Sequence, residues 1–301
     1  MPSPLDTTRF GAKTTADEVL QDMDLSDQAI IVTGANTGLG FETARALAAA
    51  GARVVLACRN LEKANEAAER IQAAHPNVEV HCAALDLGSF ASIAAFVEAF
   101  DGPSIDVLIC NAGVLNVSYR ESDGGLEQTV GVSHLGHFRL VMGLLPKLLA
   151  AGRGRVVMLS SESHRSPRTL DFENFPLNAK NYSQLKAYGQ AKLCNTLFAN
   201  ELQRRYADQG LTACSLHPGN LVTTEIGRDS MLTRWVMKLA SPFTKSAAQG
   251  AATTVLCAIH PDAEAVAGQY FSHCQPAKMS REAANPDVAK RLWERTEAWC
   301  A

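Results

Sequence analysis

An apolar run, Ala29-Ile30-Ile31-Val32-Thr33, leads without a break into Gly34-Ala35-Asn36-Thr37-Gly38-Leu39-Gly40, and an Ala-rich stretch, Phe41–Ala50, follows at once. Few architectures accept that order. A buried strand that turns sharply into a helix needs backbone conformations open mainly to glycine. The helix then aims its unpaired N–H groups and its positive end at one point. A pyrophosphate suits that point. The glycines follow GxxxGxG spacing rather than GxGxxG. Such a trio also fits an ordinary turn; its place after a strand, before a helix and near the chain start favours a nucleotide. Gly34, Asn36, Thr37, Gly38, Leu39 and Gly40 are therefore expected at a bound dinucleotide.

The rest of the chain keeps the same rhythm. Short β-rich runs lie at Arg53–Cys58, Val78–Cys82, Asp106–Cys110, Arg155–Leu159 and Leu211–Leu216. Helical stretches lie between them at Leu61–Ala74, Phe90–Phe100, Gly125–Leu149 and Ser183–Tyr206. Alternation of this kind predicts a single α/β domain: a Rossmann-like, doubly wound parallel sheet with helices on both faces. No linker or repeat divides it, so residues 1–25 are read as an extension packed on a domain of residues 26–301. Two segments, Glu162–Tyr182 and Asn220–Lys245, are irregular. The second, with the mostly apolar run Met231–Leu239, is read as a substrate lid over about residues 220–245, with contact to a membrane surface or a partner as the alternative for that run.

Composition narrows the function. A net charge of −3 with no basic block argues against nucleic acid. Residues 1–16 are polar, and nowhere is there an uncharged apolar stretch of about 18 residues. No membrane span is expected, and the compartment is read as cytoplasmic. The eight cysteines form no CxxC pair, which fits free thiols rather than a zinc or redox site. His134 and His137 have no carboxylate or cysteine at suitable spacing to complete a metal site.

The second strand bears on which dinucleotide is bound. An NAD site usually places a carboxylate at its end for the ribose 2′-hydroxyl. Here Cys58 stands there, followed by Arg59 and Asn60. A guanidinium can grip a 2′-phosphate through charge-assisted hydrogen bonds. The reading is therefore NADP(H), with Arg59 and Asn60 at its phosphate and Asp86-Leu87 near the adenine. Asp86 would serve equally as the N-cap of the helix beginning near Ser89.

Chemistry is suggested by Tyr188 and Lys192, four apart and so on one helical face. A tyrosine acting as acid or base near pH 7 needs its pKa of about 10 lowered. A neighbouring ammonium is a plausible cause. Upstream, Arg155–Leu159 ends in Ser160-Ser161, at a strand end where reactive groups collect.

With Asn111-Ala112-Gly113, Ser161, Tyr188-Gly189-Gln190-Ala191-Lys192 and Pro218-Gly219 in order after the glycine loop, the chain resembles the short-chain dehydrogenase/reductase superfamily, and within it the retinol dehydrogenase branch. The branch likeness rests on Ala57–Asn60, Ser160–His164, His134–Phe138, His217–Asn220 and Pro242–Ser246. The resemblance implies Tyr188 as general acid/base, with Lys192 lowering its pKa and holding the nicotinamide ribose. It implies Ser161 as the group orienting the substrate carbonyl, and Asn111, Ala112 and Gly113 beside the cofactor. It puts the backbone of Pro218, Gly219, Asn220 and Leu221 at the carboxamide. Where the family carries a relay asparagine, alignment on His134-Leu135-Gly136-His137-Phe138 places Ser133, with shorter reach. Relatives associate through helices like Ser183–Tyr206 and Thr244–Ile259, which implies a homodimer or homotetramer.

The expected activity is interconversion of an apolar aldehyde or ketone with its alcohol by hydride transfer. Ser133 also motivates a second reading: a nucleotide-bound sensor with weak or no catalysis. A sugar-nucleotide epimerase is disfavoured by the glycine spacing and by the little chain left for a second substrate domain.

Overall fold

A computed structural model of the chain describes residues 7–219 and 245–300. Eight strands form one sheet: β1 (Ala29–Thr33), β2 (Arg53–Cys58), β3 (Val80–Ala84), β4 (Val107–Cys110), β5 (Arg155–Leu159), β6 (Thr212–His217), β7 (Tyr270–Ser272) and β8 (Gln275–Ala277). Their order is β3-β2-β1-β4-β5-β6-β7-β8. Every pairing is parallel except the closing β7–β8 hairpin.

The central strands are buried along their whole length, as a sheet covered on both faces requires. Successive side chains supply opposite layers. Ile30 and Val32 face a core that includes Leu47, Ile71 and Leu256, whereas Ile31 faces one that includes Phe96, Leu144 and Phe198. Helices α1 (Ala16–Leu20), α2 (Gly38–Ala49), α3 (Leu61–Ala74) and α8 (Ala247–Ile259) build the first layer. Helices α4 (Phe90–Ala99), α6 (Gly136–Ala150) and α7 (Gln184–Tyr206) build the second, joined by Trp293 of α9 (Pro286–Cys300).

The helix predicted over Gly125–Leu149 starts later. Gly124 and Gly125 both take positive φ, and Glu127 caps the new start through Thr129 N and Val130 N at 2.7 and 3.1 Å. From there run a short α5 (Gln128–Val130), a π-wound turn (Gly131–Leu135) and α6. Likewise β3 begins at Val80 rather than Val78, because Asn77 sits at φ +75° and prolongs the preceding turn.

The strand order reverses between β1 and β4, which opens a crevice beyond their carboxyl ends. The glycine loop follows β1 and Asn111-Ala112-Gly113 follows β4, so they flank that crevice. Residues 220–244, which hold nearly all of the expected lid, together with Asn220 and Leu221, lie outside the described residues.

Candidate active site

The glycine loop is shaped by close backbone approach. Gly34 has φ +65°, and a Cβ there would stand 3.0 Å from that of Ala112. A Cβ on Gly40 would fall 2.4 Å from both Asn111 Nδ2 and Gly34 O. Gly40 therefore lets α2 seat against the β1–β4 seam. Thr37 is the N-cap of α2 but makes no side-chain cap bond, so its hydroxyl does not satisfy the helix's first N–H groups. Beneath the loop, the buried Cys58 thiol meets the amides of Ala35 and Asn36, and burial raises its pKa to about 11. It is neutral at physiological pH, so no carboxylate charge stands at the end of β2.

Arg59 and Asn60 follow directly. Arg59 is exposed and has no ion-pair or hydrogen-bond partner for its guanidinium among the described residues. Asn60 caps α3, its Oδ1 accepting from Lys63 N at 2.9 Å. Asp86 does not cap α4. Its Oδ1 accepts from Gly88 N at 2.9 Å, and Ser89 Oγ takes the cap instead, accepting from Ser92 N at 3.5 Å. Leu87 is buried, and its carbonyl lies so near Gly136 that a Cβ there would be 2.2 Å away.

The second wall carries the reactive groups. Ser160 and Ser161 divide the work at the end of β5. Ser160 is buried and structural, donating to Lys192 O at 2.8 Å and accepting from Thr196 Oγ1 at 3.0 Å. Ser161 opens a short turn, accepting from Ser163 N at 3.2 Å and donating to Ser163 Oγ at 3.3 Å, and its hydroxyl stands near enough to the Tyr188 phenol to influence it. Lys192 Nζ donates to Leu159 O at 3.0 Å and lies 5.5 Å from the centre of the Tyr188 ring. Burial pulls that ammonium down to about 8, so it is mostly protonated at pH 7.

The Tyr188 phenol is buried, which raises its pKa, and the Ser161 hydroxyl opposes that rise. The Lys192 ammonium is held by the Leu159 carbonyl on the same side of the site as the ring. At neutral pH Tyr188 is a protonated acid.

Ser133 meets the other groups at Gly113. A Cβ built on Gly113 would stand 3.4 Å from Ser133 Oγ and 3.5 Å from Lys192 Nζ. Ser133 is fully buried in the π-wound turn, and its Oγ has no partner among the described residues. Such turns recur at functional sites. Asn111 braces the same corner, with Nδ2 donating to Thr33 O at 2.8 Å. Pro218 and Gly219 follow β6, with Gly219 at φ +118° and packed on Lys245.

Sequence reasoning missed Thr33 and gave His137 no role in the site. Thr33 Oγ1 accepts from Asn111 N at 2.9 Å and Ala112 N at 3.0 Å, and pairs with His137 Nε2 at 2.9 Å. The available signal was position: a hydroxyl immediately before Gly34, and a histidine one turn beyond Ser133. Among the described residues no cluster of three metal-ligating side chains forms. No helix among them is long and apolar enough to cross a membrane.

Comparison with known proteins decides the family. The model for short chain dehydrogenases matches residues 28–171. A WW domain-containing oxidoreductase from Danio rerio is 44% identical over 297 residues, covering 96% of this chain and 72% of that protein. The chain belongs to the short-chain dehydrogenase family. Retinol dehydrogenase 12 from Mus musculus is 42% identical over 273 residues, covering 90% of this short-chain dehydrogenase and 85% of that protein. An uncharacterized protein from Mycobacterium paratuberculosis superposes with a TM-score of 0.75 at 32% identity, over 93% of this chain and 96% of that one. L-Sorbose reductase from Gluconobacter frateurii, solved with NADPH and L-sorbose, shares the fold at a TM-score of 0.67 and 23% identity, over 83% and 96% of the two chains. The short-chain dehydrogenase fold implies a nicotinamide cofactor and oxidoreductase chemistry on small molecules.

Proposed function

We propose that this short-chain dehydrogenase is an NADP(H)-dependent carbonyl reductase and alcohol dehydrogenase acting on apolar aldehydes or ketones. The observation that carries the proposal is convergence at one corner of the crevice: Ser161 beside the Tyr188 phenol, with Lys192 and Ser133 both reaching Gly113. The residues fit a nicotinamide dinucleotide. The Gly34–Gly40 turn and the α2 N-terminus, without a side-chain cap, suit its pyrophosphate. Gly113 leaves room for the ring, and the free guanidinium of Arg59, beside a neutral Cys58, suits a 2′-phosphate.

A nicotinamide bound there would supply hydride to the carbonyl carbon, or accept it from the alcohol. Ser161 holds the substrate oxygen. Tyr188, kept protonated by burial, delivers its proton to that oxygen. Lys192 stabilises the phenolate left behind, and Ser133 supplies the hydroxyl through which the proton is restored. The apolar substrate class is supported by likeness to retinol dehydrogenases, which are named for an apolar alcohol.

The test is NADPH oxidation against a panel of aldehydes and ketones, with Tyr188→Phe as control. Turnover lost in the variant with NADPH binding kept supports the proposal. The unpartnered Ser133 hydroxyl favours a second reading, a nucleotide-bound sensor. Equal inertness of wild type and variant, both binding NADPH, would establish it.

A further inference from the structure

Two histidines flank Ser133, and their hydrogen bonds fix their tautomers. His137 Nδ1 faces the Ser133 carbonyl at 2.9 Å, and a carbonyl only accepts. Nδ1 therefore carries the proton, and Nε2 accepts from Thr33 Oγ1 at 2.9 Å. The single hydroxyl proton of Thr33 goes there, Ile109 O being the more distant acceptor at 3.4 Å, and its lone pairs take Asn111 N–H and Ala112 N–H at 2.9 and 3.0 Å. His134 has the opposite tautomer. Thr296 Oγ1 gives its proton to Leu292 O at 2.7 Å, so His134 Nε2–H donates to Thr296 at 2.9 Å.

We infer that His137 is a positioning residue for the reaction, the strut that sets Ser133 against the Asn111-Ala112-Gly113 turn. This rests on the function proposed above. The strut runs from two amides of the cofactor-side turn, through the Thr33 hydroxyl and the imidazole, to the carbonyl of Ser133. Each group donates in the same direction, so the bonds polarise one another. Thr33, Ser133 and His137 are all 0% exposed, so water does not substitute for a missing member. Burial holds His137 neutral, its pKa down at about 4, which preserves the one tautomer that completes the chain. A hydroxyl as short as that of Ser133 depends on its backbone for placement. A misplacement of about 1 Å costs up to a hundredfold in rate.

The test uses His137→Phe, which removes both bonds, and His137→Gln, whose amide oxygen reaches Thr33 while giving up the donor to Ser133. Nitrogen NMR of the wild-type ring should show the neutral Nδ1–H tautomer. His137→Phe should weaken NADPH binding, read by nucleotide fluorescence, and lower kcat about tenfold or more. His137→Gln should restore binding but not kcat. Should the Phe variant fail to fold, the Gln variant carries the test: wild-type kcat there would overturn the inference. An Nε2–H ring, or a folded His137→Phe protein that binds NADPH as tightly as wild type, would overturn it too. If the wild type reduces no carbonyl compound, the proposed function fails separately, and the fluorescence titration still decides the strut.

Discussion

His134→Leu should flatten the acid side of the stability profile by an amount the fold specifies. His134 is 1% exposed and lies against Phe138 and Phe198, and burial lowers its pKa from 6.5 to about 3. The unfolded chain takes up a proton below its ordinary pKa while the folded chain does not. The associated stability is therefore whole above pH 6.5 and is lost as the pH falls toward 3. Between pH 7 and pH 5 the loss is about 2 kcal/mol. His137, lowered to about 4, adds a similar loss, so the pair accounts for about 4 kcal/mol. Leucine removes one of the two titrations without stranding a partner, because Thr296 keeps its bond to Leu292 O. It also removes the buried, unpartnered Nδ1 of His134. Urea unfolding at the two pH values, followed by tryptophan fluorescence, measures the effect. The variant should lose about 2 kcal/mol less than wild type over that span. Parallel losses in the two proteins would refute the reasoning.

Gly113→Ala should separate folding from cofactor binding. The new methyl makes only ordinary contacts with Ser133 and Lys192, so the melting temperature should hold or rise while NADPH affinity falls about tenfold; unchanged affinity would place the ring elsewhere. Arg59→Ala should weaken NADPH by about tenfold or more and NADH little, because each lost charge-assisted bond is worth about 1.5–3 kcal/mol; equal losses in a fluorescence titration would remove the 2′-phosphate assignment. Carbonyl reduction should slow as the pH rises through about 8, where Lys192 gives up its proton; a kcat profile level well beyond that pH would show that the ammonium is not needed.

The parallel strands were legible because a sheet buried on both faces needs nearly continuous apolar runs, and β1, β2 and β5 match their predicted bounds. The late start of α5 was not, because Gly124 and Gly125 read as tolerable helix residues until their positive φ is seen. Helix α9 did leave a signal: Ala289, Leu292, Trp293 and Thr296 recur at helical spacing after Pro286 at the first helical position. Strands β7 and β8, three residues each, are too short for a period to show. In the site, spacing puts Tyr188 and Lys192 on one helical face and Ser160-Ser161 at a strand end, but the choice of Ser161 rests on the family resemblance. The pKa of Tyr188 was not legible, because it depends on burial in the folded chain. The Thr33–His137 pairing spans 104 residues, and no local pattern encodes it.

The central claim is that hydride passes from a nicotinamide to a carbonyl while Tyr188 supplies the proton. Incubating the protein with NADPH deuterated at ring carbon C4 and an apolar aldehyde, then analysing the alcohol by mass spectrometry, tests it directly. Deuterium on the carbinol carbon, formed by wild type and abolished by Tyr188→Phe, is the expected result. Alcohol without deuterium, or labelled alcohol formed as fast by the variant, would contradict it.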